Sequence, residues 1–228
     1  MASNDELTLG PAGTADDGTP WPARPYAWYV VGILTIAYTV SFIDRQILNL
    51  LVEPIRADLE ITDTQVSLLQ GLAFAIFYSV LGVPIARLAD RGNRRNIIAA
   101  GIFLWCLATA TCGLARNFVQ LFLARIGVGV GEAALSPPAY SMIADYFPPN
   151  QLARATGAYA LGVYSGAGIA MLVGGAVIQM ITAAGPISWP IIGAMRPWQL
   201  AFIAVGLPGL LVGALMFTIK EPKRRGTT

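Results

Sequence analysis

Between Ala27 and Ile219 the sequence passes through six apolar stretches, and their length decides what the chain can become. They run from about Ala27 to Val52, Gln65 to Leu88, Ile97 to Ala115, Phe118 to Phe147, Arg154 to Ala183 and Trp198 to Ile219. A helix rises ~1.5 Å per residue and the hydrocarbon of a bilayer is ~30 Å thick, so about 20 apolar residues span it. A soluble domain covers itself with charge, about a quarter of its residues. Here charged residues are 12% and apolar residues 55%. The expected fold class is therefore an all-α membrane protein of six transmembrane helices lodged in a lipid bilayer.

Around these runs the chain divides into three parts. Residues 1–26 are polar, acidic and rich in Gly, Pro and Thr, which reads as a disordered cytoplasmic tail. It has neither the basic start nor the apolar centre of a signal peptide. Residues 27–219 form the bundle, and residues 220–228 begin a basic cytoplasmic linker. The linking segments also carry an orientation. On one side lie Arg24, Arg87, Arg91, Arg94, Arg95, Arg154, Lys220, Lys223, Arg224 and Arg225; on the other only Arg56, Arg116 and Arg196. The positive-inside bias puts both ends of this chain in the cytoplasm of a cell inner (plasma) membrane protein. A net charge of +2 makes no case for nucleic acid. Cys106 and Cys112, six apart in one helix, point to nearly opposite faces and form neither a disulfide nor a metal pair.

Four charges interrupt the apolar runs: Asp44 and Arg45 in the first, Arg125 and Glu132 in the fourth. A charge at membrane depth costs ~2.5–3.5 kcal/mol on insertion scales, so each is a functional candidate by default. Asp44 lies eight residues before Val52, roughly 12 Å below the outer end, and Arg125 seven residues after Phe118, roughly 10 Å below it. That count makes Asp44 and Arg125 the expected pair. It leaves Glu132 near mid-membrane without a cation at its own level, with Arg125 or Arg45 the cations that could reach toward it; there desolvation opposes ionisation and suits a group that carries a proton. A static cluster that merely fastens the first helix to the fourth is the competing reading. Buried ion pairs stabilise poorly, which weighs against it. The paired Pro137-Pro138 should kink the fourth helix.

The turn between the second and third runs, Asp90-Arg91-Gly92-Asn93-Arg94-Arg95, sets one acid among several cations. It reads either as a plain positive-inside anchor or as a latch in which Asp90 caps a helix and Arg94 or Arg95 meets Asp145. The turn resembles the signature loop of the major facilitator superfamily, Gly-x-x-x-Asp-Arg-x-Gly-Arg-Arg. Asp90, Arg91, Arg94 and Arg95 match it, with Ala86 in the place of the first Gly and Gly92-Asn93 in the place of x-Gly. Arg125-Ile126-Gly127-Val128-Gly129-Val130-Gly131-Glu132 is similar to the superfamily's Arg-x-x-x-Gly-x-Gly segment. A nucleotide loop is disfavoured there, because the final Gly of Gly-x-Gly-x-x-Gly is missing and the segment lies within an apolar span. Asp44-Arg45 together with Gly131-Glu132-Ala133-Ala134 most resembles the spinster-like branch.

The resemblance covers residues 27–222 and implies a secondary carrier of lipid-like or organic-anion substrates. It implies the N-terminal half of a twelve-helix protein, whose C-terminal six-helix half would be a separate or missing partner. A homodimer of halves is the less favoured arrangement. It also implies that Gly162, Gly166 and Gly168 of the fifth helix face the other half, although generic membrane packing accounts for such glycines equally. Asp44, Arg45, Arg125 and Glu132 become the substrate and proton-coupling residues, with protons as the coupling ion and no cofactor or metal. The alternatives are a sugar-acid type symporter of the same superfamily and a channel or receptor-like bundle. An intramembrane enzyme is disfavoured, since the sequence has no His and no Gly-x-Ser-x-Gly.

Overall fold

The computed structural model describes residues 20–184, 187–189 and 193–225. Within them six helices are long and apolar enough to cross a membrane: Arg24–Leu50, Asp63–Arg91, Arg94–Cys112, Phe118–Tyr146, Pro149–Ala176 and Pro197–Thr218. The tail expected over 1–26 falls outside the described residues as far as residue 19. Its last three residues are helical, because α1 (Arg24–Leu50) opens with Pro25 in its first turn, where a missing N–H costs nothing.

The outer connection after α1 is itself helical. It folds as the short helix α2 (Val52–Leu59), stopped by Glu60 in the left-handed conformation at φ 51°. Thr62 then starts α3 (Asp63–Ser67) with a capping box. Its hydroxyl accepts from Gln65 N, and the Gln65 side chain accepts from Thr62 N. A π-helical turn, Leu68–Leu72, joins α3 to α4 (Ala73–Arg91). The chain turns at Gly92 and enters α5 (Arg94–Cys112). Here Asn93 caps the helix by accepting from Asn96 N, so the capping role expected of Asp90 belongs to Asn93. Asp90 is exposed in the last turn of α4.

The fourth span is broken rather than kinked. α6 (Phe118–Glu132) ends in a turn over Ala133–Leu135, and α7 (Ser136–Tyr146) restarts with Pro137 and Pro138 in its first turn. Two consecutive residues without N–H donors cannot sit inside one helix, but they fit a helix start. The longest helix, α8 (Pro149–Ala184), leads to a small antiparallel hairpin, β1 (Ile187–Trp189) with β2 (Gly193–Met195), paired Ile187 to Met195 and Trp189 to Gly193. α9 (Pro197–Leu215) completes the bundle.

The core lies where α1, α5, α6, α7 and α9 meet, around Leu34, Ile98, Trp105, Leu121, Val128 and Phe202, all at most 1% exposed. α8 docks on α1 along small residues four apart, Gly162, Gly166, Ala170 and Gly174. A Cβ on Gly162 would lie 2.9 Å from Thr35 O, and one on Gly166 2.7 Å from Phe42 Cβ. These two glycines therefore face α1 of the same bundle, not another half, because the stripe repeats every four residues along the α1 seam. Gly168 lies off the seam, with nothing within 4 Å of its Cβ position.

Candidate functional site

Two of the membrane charges meet directly, but not in the expected combination. Arg45 Nε lies 2.5 Å from Glu132 Oε2, and Ser41 Oγ donates to the same oxygen at 2.7 Å. Glu132 thus sits level with Ser41, one helical turn from Asp44, and the long Arg45 side chain covers the difference. Counting residues along the axis gives the height of a Cα and ignores that reach. It also ignores that neighbours on a helix point about 100° apart. Asp44 consequently turns toward α5, where Thr109 Oγ1 donates to its Oδ2 at 3.4 Å. Among the described residues no ion pair joins Asp44 to Arg125.

The cluster is buried. Asp44, Arg125 and Glu132 are at most 2% exposed. Asp44 Oδ1, Glu132 Oε1, Arg125 Nε, Arg125 Nη1 and the adjoining Trp105 Nε1 have no hydrogen-bond partner. Buried polar atoms are rarely left unbonded, since each costs ~1–3 kcal/mol. Arg125 and Glu132 both act electrostatically on Asp44.

Arg45 is also the one charge of the four that reaches an open face, with its side chain 25% exposed. Its guanidinium lies over Phe74 at 4.5 Å and Tyr78 at 5.1 Å. Beside it Tyr38 stacks on Tyr159 at 4.8 Å, Tyr140 meets Tyr159 edge-on at 5.1 Å, and Tyr159 shares a hydrogen bond with Ser136 at 3.2 Å. Four tyrosines from four spans converge here. Each stands in a different helix, so no sequence spacing connects them and the sequence reading missed them. An aromatic residue at the position of Tyr78 relative to Arg45 could be found only once the α1–α4 contact is known.

The turn between α4 and α5 forms a second cluster. Arg94, 1% exposed, bonds Asp145 Oδ2 at 2.5 Å, Glu221 Oε1 at 2.7 Å and Ser141 Oγ at 2.8 Å. This is the expected pairing of Arg94 with Asp145. Arg95 Nη1 donates to Ile219 O and its backbone N–H to Glu221 Oε2; Arg91 is exposed. Glu221 was not foreseen as part of this network, because it belongs to the segment after α9 that looked like a free linker. That segment is strapped down. Arg224 Nη2 donates to Ala89 O at 2.6 Å and Gly92 O at 2.8 Å, and Arg225 N donates to Asp145 Oδ1 at 2.9 Å. Among the described residues no group of three or more acids, Cys or His is placed to hold a metal.

Comparison with known proteins gives a consistent neighbourhood. The sequence model of the Major Facilitator Superfamily matches residues 34–228. The chain is 30% identical to an MFS-type efflux pump of Mycolicibacterium smegmatis, over 85% of this chain and 42% of that protein. It is 32% identical to protein spinster homolog 1 of Xenopus laevis, over 86% of this chain and 35% of that protein. Its structure superposes with a TM-score of 0.80 on a bacterial homolog of the human lysosomal transporter spinster in an inward-facing, unoccupied conformation, at 40% identity, covering 89% of this chain and 45% of that one. The chain thus spans less than half the length of each of these relatives.

Proposed function

Because the chain belongs to the Major Facilitator Superfamily and has the six-helix bundle of its spinster-like members, we propose that it works as one half of a proton-coupled secondary carrier. Its relatives are transporters rather than enzymes. The bundle is multi-pass, and the positive-inside bias supports an inner-membrane protein with both ends of this chain cytoplasmic. A second six-helix bundle opposite Arg45 and the tyrosines would close the site, and rocking of one bundle on the other would expose it to each side in turn. The substrate is a lipid-like or small organic anion.

The observation that carries this reading is the Arg45–Glu132 pair, buried on its acidic side and open on its basic side. Protonating Glu132 removes the charge that holds Arg45. The guanidinium, stacked on Phe74 and Tyr78, is then free to grip a carboxylate or phosphate through two parallel hydrogen bonds. Arg125 and Asp44, each with unbonded polar atoms, would stabilise the displaced charge from behind. The Arg94–Asp145–Glu221 network would hold the basic end closed in one conformation, with Asp90, Arg91 and Arg95 around it. Gly168, clear of the α1 seam, stays available to the opposite bundle.

The test uses the complete two-bundle carrier in vesicles. Glu132→Gln should abolish proton-driven accumulation and keep exchange, while Arg45→Ala should weaken binding of an anionic substrate about 10–100-fold, the loss of a charged hydrogen bond. Undiminished accumulation by Glu132→Gln removes the coupling role. Unchanged affinity in Arg45→Ala removes the anion role. Counterflow of labelled substrate separates a carrier from a channel.

A further inference from the structure

A cavity of about 300 Å³ lies far from the charge cluster, at the basic end of the bundle, between the start of α1 and the corner where α7 hands over to α8. Trp21, Arg24, Tyr146, Asn150 and Gln151 line it. Both α1 and α8 begin here, so the cavity sits at the depth of lipid headgroups rather than of acyl chains. Its walls combine the two side-chain types that suit this depth. Trp and Tyr present an apolar body and a polar edge at a membrane interface. Arg offers a planar fork of donors that matches a phosphate.

Among the described residues, the charge lining the cavity has one sign. Arg24 is exposed at its mouth. Arg154 lies over the Trp28 ring at 5.8 Å and Arg225 over the Trp21 ring at 4.1 Å, which fixes two further cations on the same aromatic belt. Among the described residues, the acids of this end are engaged or remote. Asp145 bonds Arg94 and the Arg225 N–H, Glu221 bonds Arg94 and the Arg95 N–H, and Asp90 is exposed at the foot of α4. None of them lines the cavity. A basic pocket between spanning helices at this level fits an anionic headgroup.

We propose that this cavity is a binding site for the phosphate headgroup of an anionic phospholipid, with Arg24 on the phosphate, Asn150 and Gln151 on the polar remainder of the head, and Trp21 and Tyr146 packing its glycerol. The site needs neither the Arg45–Glu132 pair nor a second bundle. It therefore stands or falls apart from the carrier reading.

Native mass spectrometry of the 228-residue chain in detergent tests it, with dioleoyl phosphatidylglycerol and dioleoyl phosphatidylcholine added at equal concentration. One phosphatidylglycerol should remain bound at collision energies that strip phosphatidylcholine. Arg24→Gln should lower its retention about fivefold, the effect of one interfacial cation, and Trp21→Ala should lower it as well. Lys223→Gln removes an exposed charge from the same end but not from the cavity, and should leave retention unchanged. Equal loss in Lys223→Gln and Arg24→Gln would mean diffuse attraction and overturn the site. So would equal retention of the two lipids. Displacement of the bound lipid by glycerol 3-phosphate at the lipid's own concentration would reassign the pocket to a soluble phosphate and overturn the lipid assignment. Thermal melting of each variant separates lost binding from lost folding.

Discussion

Arg94 shows how much depends on one buried charge. It is 1% exposed and bonded to two carboxylates and a hydroxyl, and a fourth acceptor, Pro222 O, lies 3.2 Å from its Nη2. Replacing it with Gln would leave Asp145, itself 6% exposed, without its cation. Breaking a buried pair from one side costs about 3–5 kcal/mol, so Arg94→Gln should lower the melting temperature in detergent sharply. Arg94→Lys keeps the charge but cannot reach three oxygens from a planar fork, and should fall between the two. Melting of Arg94→Gln at the wild-type temperature would show that the network holds nothing together. The sequence announced this residue, because three cations in one short turn beside a lone acid are conspicuous. It announced Arg45 and Glu132 equally well, since charge inside an apolar run stands out. What it ranked wrongly was the pairing, favouring Asp44 with Arg125 over Arg45 reaching Glu132, for two reasons already visible in Asp44 and Arg45. Adjacent residues on a helix diverge, and a long side chain crosses a full turn. The tyrosines around Arg45 were invisible, because an aromatic residue in an apolar helix looks like any other core residue until its neighbours in space are known.

At the scale of the helices, the number and rough extent of the spans were legible from length against bilayer thickness, and the terminal adjustments came from local chemistry. Pro25 moved the start of α1, Pro137-Pro138 moved a kink into a full break, and Thr62 with Gln65 made a helix start out of an apparent loop. Helix-to-helix addresses were not legible. A stripe of glycines says that something approaches closely and not what. The α1–α8 seam makes a sharp prediction. Gly166→Val places a Cβ 2.7 Å from Phe42 Cβ and 2.9 Å from Thr39 O, which forces the helices apart and should cost about 1–3 kcal/mol of stability. Gly168→Ala, with open space around it, should leave stability unchanged or raise it by up to about 1 kcal/mol through helix propensity. Thermal melts of the two variants decide the assignment, and equal destabilisation by both would contradict it.

For the whole molecule, the open faces matter more than the closed ones. Arg45 looks out between α1 and α4, Tyr140 is 42% exposed, and α8 shows Tyr164 at 74% and Leu172 at 77%. A bundle that leaves Arg45 open along one side has no second gate, so vesicles containing the 228-residue chain alone should neither accumulate nor exchange substrate. Uptake by a purified monomer would refute the two-bundle mechanism. The segment after α9 has a mechanical corollary. Arg224 and Arg225 fasten it to the carbonyls of Ala89, Gly92 and Pro20, and Glu221 fastens it to the first turn of α5. Tension applied to the polypeptide at residue 225 would therefore not peel α9 away on its own. It would load the α4–α5 turn and the root of α1 together, so that this end of the bundle yields as one block or not at all.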